Sequence, residues 1–371
     1  MVNTKDTFVI SPAVDVYKIG DDTIEFYFVD TRRRVTLAVS ENVISLIHSM
    51  VELKPLIDHL HDIDLDFDKN IEEFLDFLVK EKIILIQEVL QEKKRILKEL
   101  EINRYDRQLS YFESLFHESA YTIQNSLFSL KVLVFGVGAV GAGIVQQLSM
   151  CGIRNFVLID KDVISEDSIE RHFFFKRRYV GMPKVDALAD FLRLQDSLVQ
   201  CTSIHKIIDF DTSIDEYIHQ ADFVINTMDE PYLGITSLKI GRACFAQNKP
   251  LYVAGGFDAH LMSTGELVIP YETPCVDCYT NYFTTRLKDW KPHYNVNAVP
   301  ETELRQNIFE VGGLSSMTLW AVSYAAMVIL QYIATGKSEV SKGRGELLFE
   351  ELKVNYLNIP KNRGCHVCGD K

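Results

Sequence analysis

The sequence predicts an α/β protein: a Rossmann-like unit with a mostly parallel sheet, preceded by a small α+β, winged-helix-like domain. Three observations carry that expectation. From Leu130 onward, apolar strands alternate with helices, as in KVLVFG, NFVLID, ADFVINTMD and PLYVAGG, the pattern of parallel strands joined by helical crossovers. The first of these strands runs into a glycine-rich turn and the second ends on Asp160. Residues 1–88 follow a different order, a hairpin and then short helices, which marks a separate domain. The length of 371 residues accommodates two domains, and 47% hydrophobic with 25% charged residues is ordinary for a globular chain.

In the front domain, Thr23–Val29 (TIEFYFV) and Arg34–Val39 (RVTLAV) are rich in β-branched and aromatic residues and flank the polar turn DTRRR. That pattern predicts a hairpin. Helices are expected over Glu41–Met50, Pro55–His61 and Asn70–Lys80. In the last, Ile71, Phe74, Leu75 and Leu78 fall on one face, and Asn70 with Glu73 suggests a capping box. Lys82–Gln87 (KIILIQ) reads as a closing strand. Residues 89–103 have helical, alternating-charge composition and are expected to form a helical linker to a second domain over 104–371.

Charge and hydropathy narrow the partners. The chain carries a net charge of −13, and its first hundred residues hold 13 Lys and Arg against 20 Asp and Glu, so no basic face is left for nucleic acid. MVNTKDTF lacks the apolar core of an export signal, and the expected location is cytoplasmic. Met317–Ala334 contains 18 residues without a charge, but its polar and tyrosine content favours a buried core or interface helix over a membrane span.

The stretch KVLVFGVGAVGAGIVQQLSMCGIRNFVLID is the most informative. Gly136, Gly138 and Gly141 permit a tight turn with close backbone approach, the following helix N-terminus favours phosphate, and Asp160 is placed to hold ribose hydroxyls. On its own this pattern also fits an NAD-dependent redox enzyme or a protein that merely binds nucleotide. The surrounding segments argue otherwise: Arg104-Tyr105-Asp106-Arg107-Gln108 upstream, DKDVISEDSIERH over 160–172, GMPK over 181–184, and Asn226-Thr227-Met228-Asp229 after a strand.

Together these segments resemble the adenylating superfamily of ThiF, MoeB and the ubiquitin-activating enzymes, over about residues 104–371. The resemblance implies ATP and Mg²⁺ as cofactors and carboxylate adenylation as the reaction. It implies that Arg107 is an arginine finger acting in trans in a homodimer, that Arg171 and Lys184 contact phosphates, and that Asp229 handles magnesium. Gly136, Gly138, Gly141, Asp160, Asp162 and Ser168 are the implied nucleotide contacts. Two positions depart from the family pattern: Ser168 replaces its usual Asn, and His172 its usual Gln.

Cys275-Val276-Asp277-Cys278 and Cys365-His366-Val367-Cys368 form two CxxC pairs. Four thiolates suit a tetrahedral structural Zn²⁺, and His366 is expected to flank the site. Cys151, Cys201 and Cys244 read as small buried side chains. Tyr279–Gly312 contains no cysteine, so no thioester step of the ubiquitin-activating kind is expected. The same region includes a long polar loop that reads as a crossover or lid, with His293, Tyr294 and Glu301 as candidate substrate contacts.

An adenylating domain without a thioester cysteine, behind a small acidic domain, resembles the peptide-modifying branch of the superfamily that matures pantocin A and microcin C. That implies a ribosomal precursor peptide as partner, its leader on residues 1–88, in antibiotic or natural-product biosynthesis. A glutamate side chain is the favoured carboxylate, with AMP then displaced by cyclisation. The alternatives are adenylation of a peptide C-terminus and activation of a ubiquitin-like sulfur-carrier protein.

Overall fold

The computed structural model describes residues 2–116, 119–172, 175–229, 233–256, 261–287, 314–337 and 343–369. The chain divides into two compact units, 1–125 and 126–371.

In the first unit, β1 (Phe8–Ile10) precedes an antiparallel meander of β2 (Val14–Lys18), β3 (Thr23–Phe28) and β4 (Arg34–Ala38). Ile24, Phe26 and Phe28 alternate inward along β3, as the twofold period of a strand requires. The predicted hairpin is thus the β3–β4 pair, extended by β2. Three helices follow, α1 (Glu41–Ser49), α2 (Leu56–Asp62) and α3 (Lys69–Lys80). They close a core of Phe8, Phe26, Leu46, Leu56, Leu75 and Leu78. α3 does not begin with an Asn70 capping box. Asp68 is its N-cap, accepting the Ile71 N–H at 2.9 Å from an extended backbone that aims its carboxylate at the first buried turn. β5 (Ile84–Ile86) pairs with β1 and not with the hairpin.

The linker is two helices, not one: α4 (Gln87–Lys94) and α5 (Glu99–Leu115). Leu97 is buried at the break, and the Glu101 carboxylate accepts the Lys98 N–H at 3.1 Å, which restarts the helix. α5 carries the Arg104–Gln108 segment and belongs to the first unit. Lys82 (φ 57°) donates through Nζ to the carbonyls of Glu113, at 2.8 Å, and Phe116, at 3.1 Å, and so neutralises the carbonyl end of α5.

α6 (Ala120–Ser129) crosses the division. The second unit contains β6 (Lys131–Phe135), α7 (Ala139–Met150), β7 (Asn155–Asp160), α8 (Glu166–Arg171), α9 (Lys184–Gln195) and β8 (Gln200–His205). After these come α10 (Asp215–His219), β9 (Phe223–Asn226), α11 (Leu233–Ala246), β10 (Leu251–Val253), β11 (Leu261–Ser263), β12 (Glu266–Val268) and α12 (Val276–Leu287). α13 (Ser315–Thr335), β13 (Gly345–Leu348) and β14 (Lys353–Tyr356) complete it.

The six-stranded sheet has the order β12-β10-β9-β6-β7-β8, parallel except for β12. Val132–Phe135 are buried without alternation because helices cover both faces. β11, β13 and β14 form a separate antiparallel sheet. α13 is long and apolar enough to cross a membrane, with 44% of its apolar window buried. It packs on α7: a Cβ at Gly143 would lie 2.6 Å from Val322 Cγ2, and Gln147 Nε2 donates to Ser323 Oγ at 3.0 Å. That contact is the core-helix role expected for it.

Candidate active site

From β6 the chain proceeds to β7 on one side, while β9 lies on the other. The carboxyl end of β6 is therefore the switch point of the sheet, where open α/β folds bind ligands. Gly136 turns there with φ 87°, and any Cβ would stand 2.7 Å from Thr227 Oγ1. A Cβ at Gly141 would stand 2.2 Å from the Gly136 carbonyl oxygen. Around Gly138, the N-cap of α7, the space is open: a Cβ would meet nothing within 4 Å. The three glycines thus do different work. Two permit close packing, and the third leaves the helix N-terminus accessible to a phosphate.

Asp160 ends β7 and bridges two loops. Its Oδ2 accepts the Val137 N–H at 2.7 Å, and its Oδ1 accepts the Asp162 N–H at 2.8 Å. The next loop is laced to the GMPK segment by Ile164 N to Met182 O at 2.9 Å, Gly181 N to Ile164 O at 2.8 Å and Lys184 N to Asp162 O at 3.0 Å. Lys184, the first residue of α9, is only 14% exposed and pairs with Asp162 at 2.9 Å. A chain of contacts therefore runs from the glycine loop through Asp160 and Asp162 to Lys184.

Across β6, Asn226 is fully buried. Its Nδ2 donates to Thr236 Oγ1 (3.3 Å) and Ser237 Oγ (3.2 Å), while its Oδ1 accepts the Met228 N–H at 3.1 Å. Thr227 donates to the Gly136 carbonyl at 2.8 Å. These contacts hold the NTMD turn against the glycine loop and present an exposed Asp229 at the same edge. The locking roles of Asn226 and Thr227 were not read from the sequence, although both lie in the quoted segment.

Ser168 is buried, and its hydroxyl is engaged with Ser165: it accepts the Ser165 N–H at 3.2 Å and lies 2.9 Å from Ser165 Oγ. In this structure it is the N3 member of the capping box whose N-cap is Ser165. Arg171 is the last residue of α8, and its side chain lies outside the described residues. His172 is buried and stacks on Phe175, with ring centroids 4.4 Å apart. Arg107 is exposed on α5 in the first unit. His293, Tyr294 and Glu301 lie outside the described residues.

The four cysteines of the CxxC pairs converge, with all their sulfurs within 4.8 Å of one another. Cys275 Sγ lies 3.9 Å from Cys278 and 3.7 Å from Cys365, and Cys278 lies 3.4 Å from Cys368. A tetrahedral zinc with bonds of about 2.3 Å needs sulfurs roughly 3.8 Å apart, so the set fits a structural zinc. The Asn362 N–H donates to Cys278 Sγ at 3.4 Å. Asp277 is buried between Arg242, whose Nη2 lies at 2.6 Å, and the exposed His366, whose Nε2 lies at 3.4 Å. His366 flanks the cluster as expected. Burial pushes the Cys151 and Cys201 thiols up to about 11 and Cys244 to about 12, so none is held as a thiolate nucleophile.

Residues 105–367 match the ThiF family. The chain belongs to the ThiF family. Its segments therefore serve an ATP-dependent adenylating enzyme. The molybdopterin-synthase adenylyltransferase of Escherichia coli (strain K12) is 24% identical over 278 residues, covering 74% of this chain and 98% of that protein. The adenylyltransferase and sulfurtransferase MOCS3 of Dictyostelium discoideum is 25% identical over 282 residues, and the match spans 60% of its length. Among solved structures, E. coli MccB with AMPCPP and MccA superposes with a TM-score of 0.71 at 19% identity, covering 98% of this chain and 100% of that one. PaaA superposes with a TM-score of 0.68 at 16% identity, covering 94% and 99%. Both likenesses extend the fold to the first unit.

Proposed function

We propose that this ThiF-family enzyme adenylates a carboxylate of a ribosomally made precursor peptide whose leader is held by the first unit. One observation carries the reading. The molybdopterin-synthase adenylyltransferase match leaves about a quarter of this chain uncovered, whereas the MccB fold, solved with MccA, covers 98% of it. A domain shared with a peptide-bound fold, and extra to a sulfur-carrier enzyme, supports a peptide substrate. Among the described residues β2 and β4 are the edge strands of the meander, to which a leader can add a strand.

The site residues suit each step. The open N-terminus of α7 at Gly138 receives phosphate, and Asp160 accepts hydrogen bonds from ribose hydroxyls. The peptide carboxylate attacks the α-phosphorus in line; an acyl–oxygen–phosphorus bond forms, and the bond to pyrophosphate breaks with its electron pair. Lys184 and Arg171 neutralise the charge that develops on the phosphates. Asp229, held at the sheet edge by the Asn226 and Thr227 contacts, is the residue that would hold Mg²⁺, which supplies further neutralisation. Arg107, exposed on α5, acts on the partner subunit's nucleotide in a homodimer. A nucleophile of the same peptide then attacks the acyl carbon and AMP leaves. The favoured carboxylate is a glutamate side chain, which gives cyclisation with net loss of water.

Mass spectrometry of a short peptide encoded beside the gene, incubated with enzyme and ATP, tests this. Loss of water supports cyclisation and an added AMP supports C-terminal adenylation. No change in the peptide, together with adenylation of a sulfur-carrier protein ending in Gly-Gly, would return the enzyme to the second reading, which rests on the 24% identity to the molybdopterin-synthase enzyme.

A further inference from the structure

Beside the cysteine clamp lies a groove of about 370 Å³ that none of the steps above uses. One wall is α12, where Asn281, Thr285 and Arg286 line it together with Cys278 and Tyr282; the spacing i, i+3, i+4 and i+7, over about two helical turns, puts Cys278, Asn281, Tyr282 and Thr285 on one face. The other wall is Lys361, Asn362 and Arg363, folded back against α12 by the pairing of Cys365 with Cys275 and of Cys368 with Cys278.

The lining is cationic in a chain whose net charge is −13. Among the described residues neither Arg286 nor Arg363 forms an ion pair; Arg286 rests on the Tyr282 ring at 5.3 Å. Lys361 Nζ donates to the Tyr271 carbonyl at 2.6 Å, a neutral acceptor that leaves its charge uncompensated. Two guanidinium forks fit carboxylates in two-point fashion, and the Asn281 and Asn362 amides can serve a peptide backbone. The groove also points the right way. α12 starts against α11, where Asp277 meets Arg242. Further along it, Phe283 lies 4.6 Å from the Arg344 guanidinium, which pairs at 2.6 Å with Glu266, the register partner of Val253 at the carboxyl end of β10. The helix thus rises toward the sheet edge that carries Asp160 and Asp229.

We propose that the groove between α12 and residues 361–363 binds an acidic, carboxylate-bearing segment of a peptide. Its identification as part of the enzyme's own substrate rests on the peptide reading above. Binding to the full-length protein is measured without ATP by fluorescence anisotropy, using a labelled oligo-glutamate of about ten residues with oligo-glutamine as control. The expected result is saturable binding of oligo-glutamate at least about tenfold tighter than oligo-glutamine, falling as added salt shortens the screening length. Arg286→Gln with Arg363→Gln should weaken it about tenfold at unchanged melting temperature. Lys361→Gln, made alone, gives the same direction if the double variant folds poorly. Equal binding of the two peptides, binding unaffected by these substitutions, or equally tight binding of an oligothymidylate would overturn the proposal. Since ATP is absent, failure here is separate from failure of the adenylation reading, which is registered by peptide-dependent pyrophosphate release.

Discussion

Replacing Lys184 by alanine separates a catalytic cation from a structural one. The ammonium is 14% exposed and its carboxylate partner, Asp162, is 42% exposed, with 2.9 Å between them. A pair this open to water on one side contributes less than about 1 kcal/mol to stability. The fold is also tied locally by backbone bonds that the substitution keeps, Lys184 N to Asp162 O and Ile164 N to Met182 O. The melting temperature should therefore move little. Removing a preorganised positive group from phosphates that gain charge in the transition state costs on the order of 3–4 kcal/mol, or a 10²–10³-fold fall in rate. Peptide-dependent pyrophosphate release, followed by a coupled phosphate assay, is the readout, and Asp162→Asn is the control that removes the ion pair but keeps the cation. Full pyrophosphate release by Lys184→Ala would refute the placement of Lys184 among the phosphate contacts.

Three further predictions follow from local geometry. Gly141→Ala drives a Cβ to within 2.2 Å of the Gly136 carbonyl oxygen, so the glycine turn must open; ATP affinity measured by calorimetry should drop at least about tenfold, with stability lowered by about 1–3 kcal/mol. Cys278→Ser removes one of four clustered sulfurs; metal analysis should show loss of about one zinc per chain, with a lower melting temperature, and unchanged zinc content would contradict the site. His59 is fully buried, and burial, then the neighbouring Lys54 ammonium, lowers its pKa below the ordinary histidine value. The neutral ring stabilises the folded form above the unfolded-state value near about 6.5, and that stability is lost as pH falls through the lowered folded value. Melting of the full chain from neutral to about pH 5 should show this slope, and His59→Gln should flatten it.

The glycine turn and the acid that ends the second parallel strand were legible because their signals are short and local. Gly136, Gly138, Gly141 and Asp160 occupy one strand-turn-helix-strand unit, and backbone geometry at each glycine follows from having no side chain. The two CxxC pairs were legible as well, since each spacing places two sulfurs together before any fold is known. The start of α3 was misplaced because Asp68 and Asn70 are equally good caps by composition, and only the extended backbone at Asp68 decides between them. The break between α4 and α5 was hidden for a related reason: every residue there favours helix, and burial of Leu97 outweighs that weak preference.

The amino-acid sequence by itself determined which groups this protein carries: a glycine-rich turn after the first parallel strand, an acid at the end of the second, two CxxC pairs and an acidic front segment. Only the tertiary structure decided which of those residues work together. β5 closes on β1 from some 75 residues away, Lys184 is set against Asp162, Ser168 is spent in the capping box of α8, and Arg286 comes to face Arg363 across a groove. Such pairings depend on packing and chain closure between distant segments, and no local spacing records them.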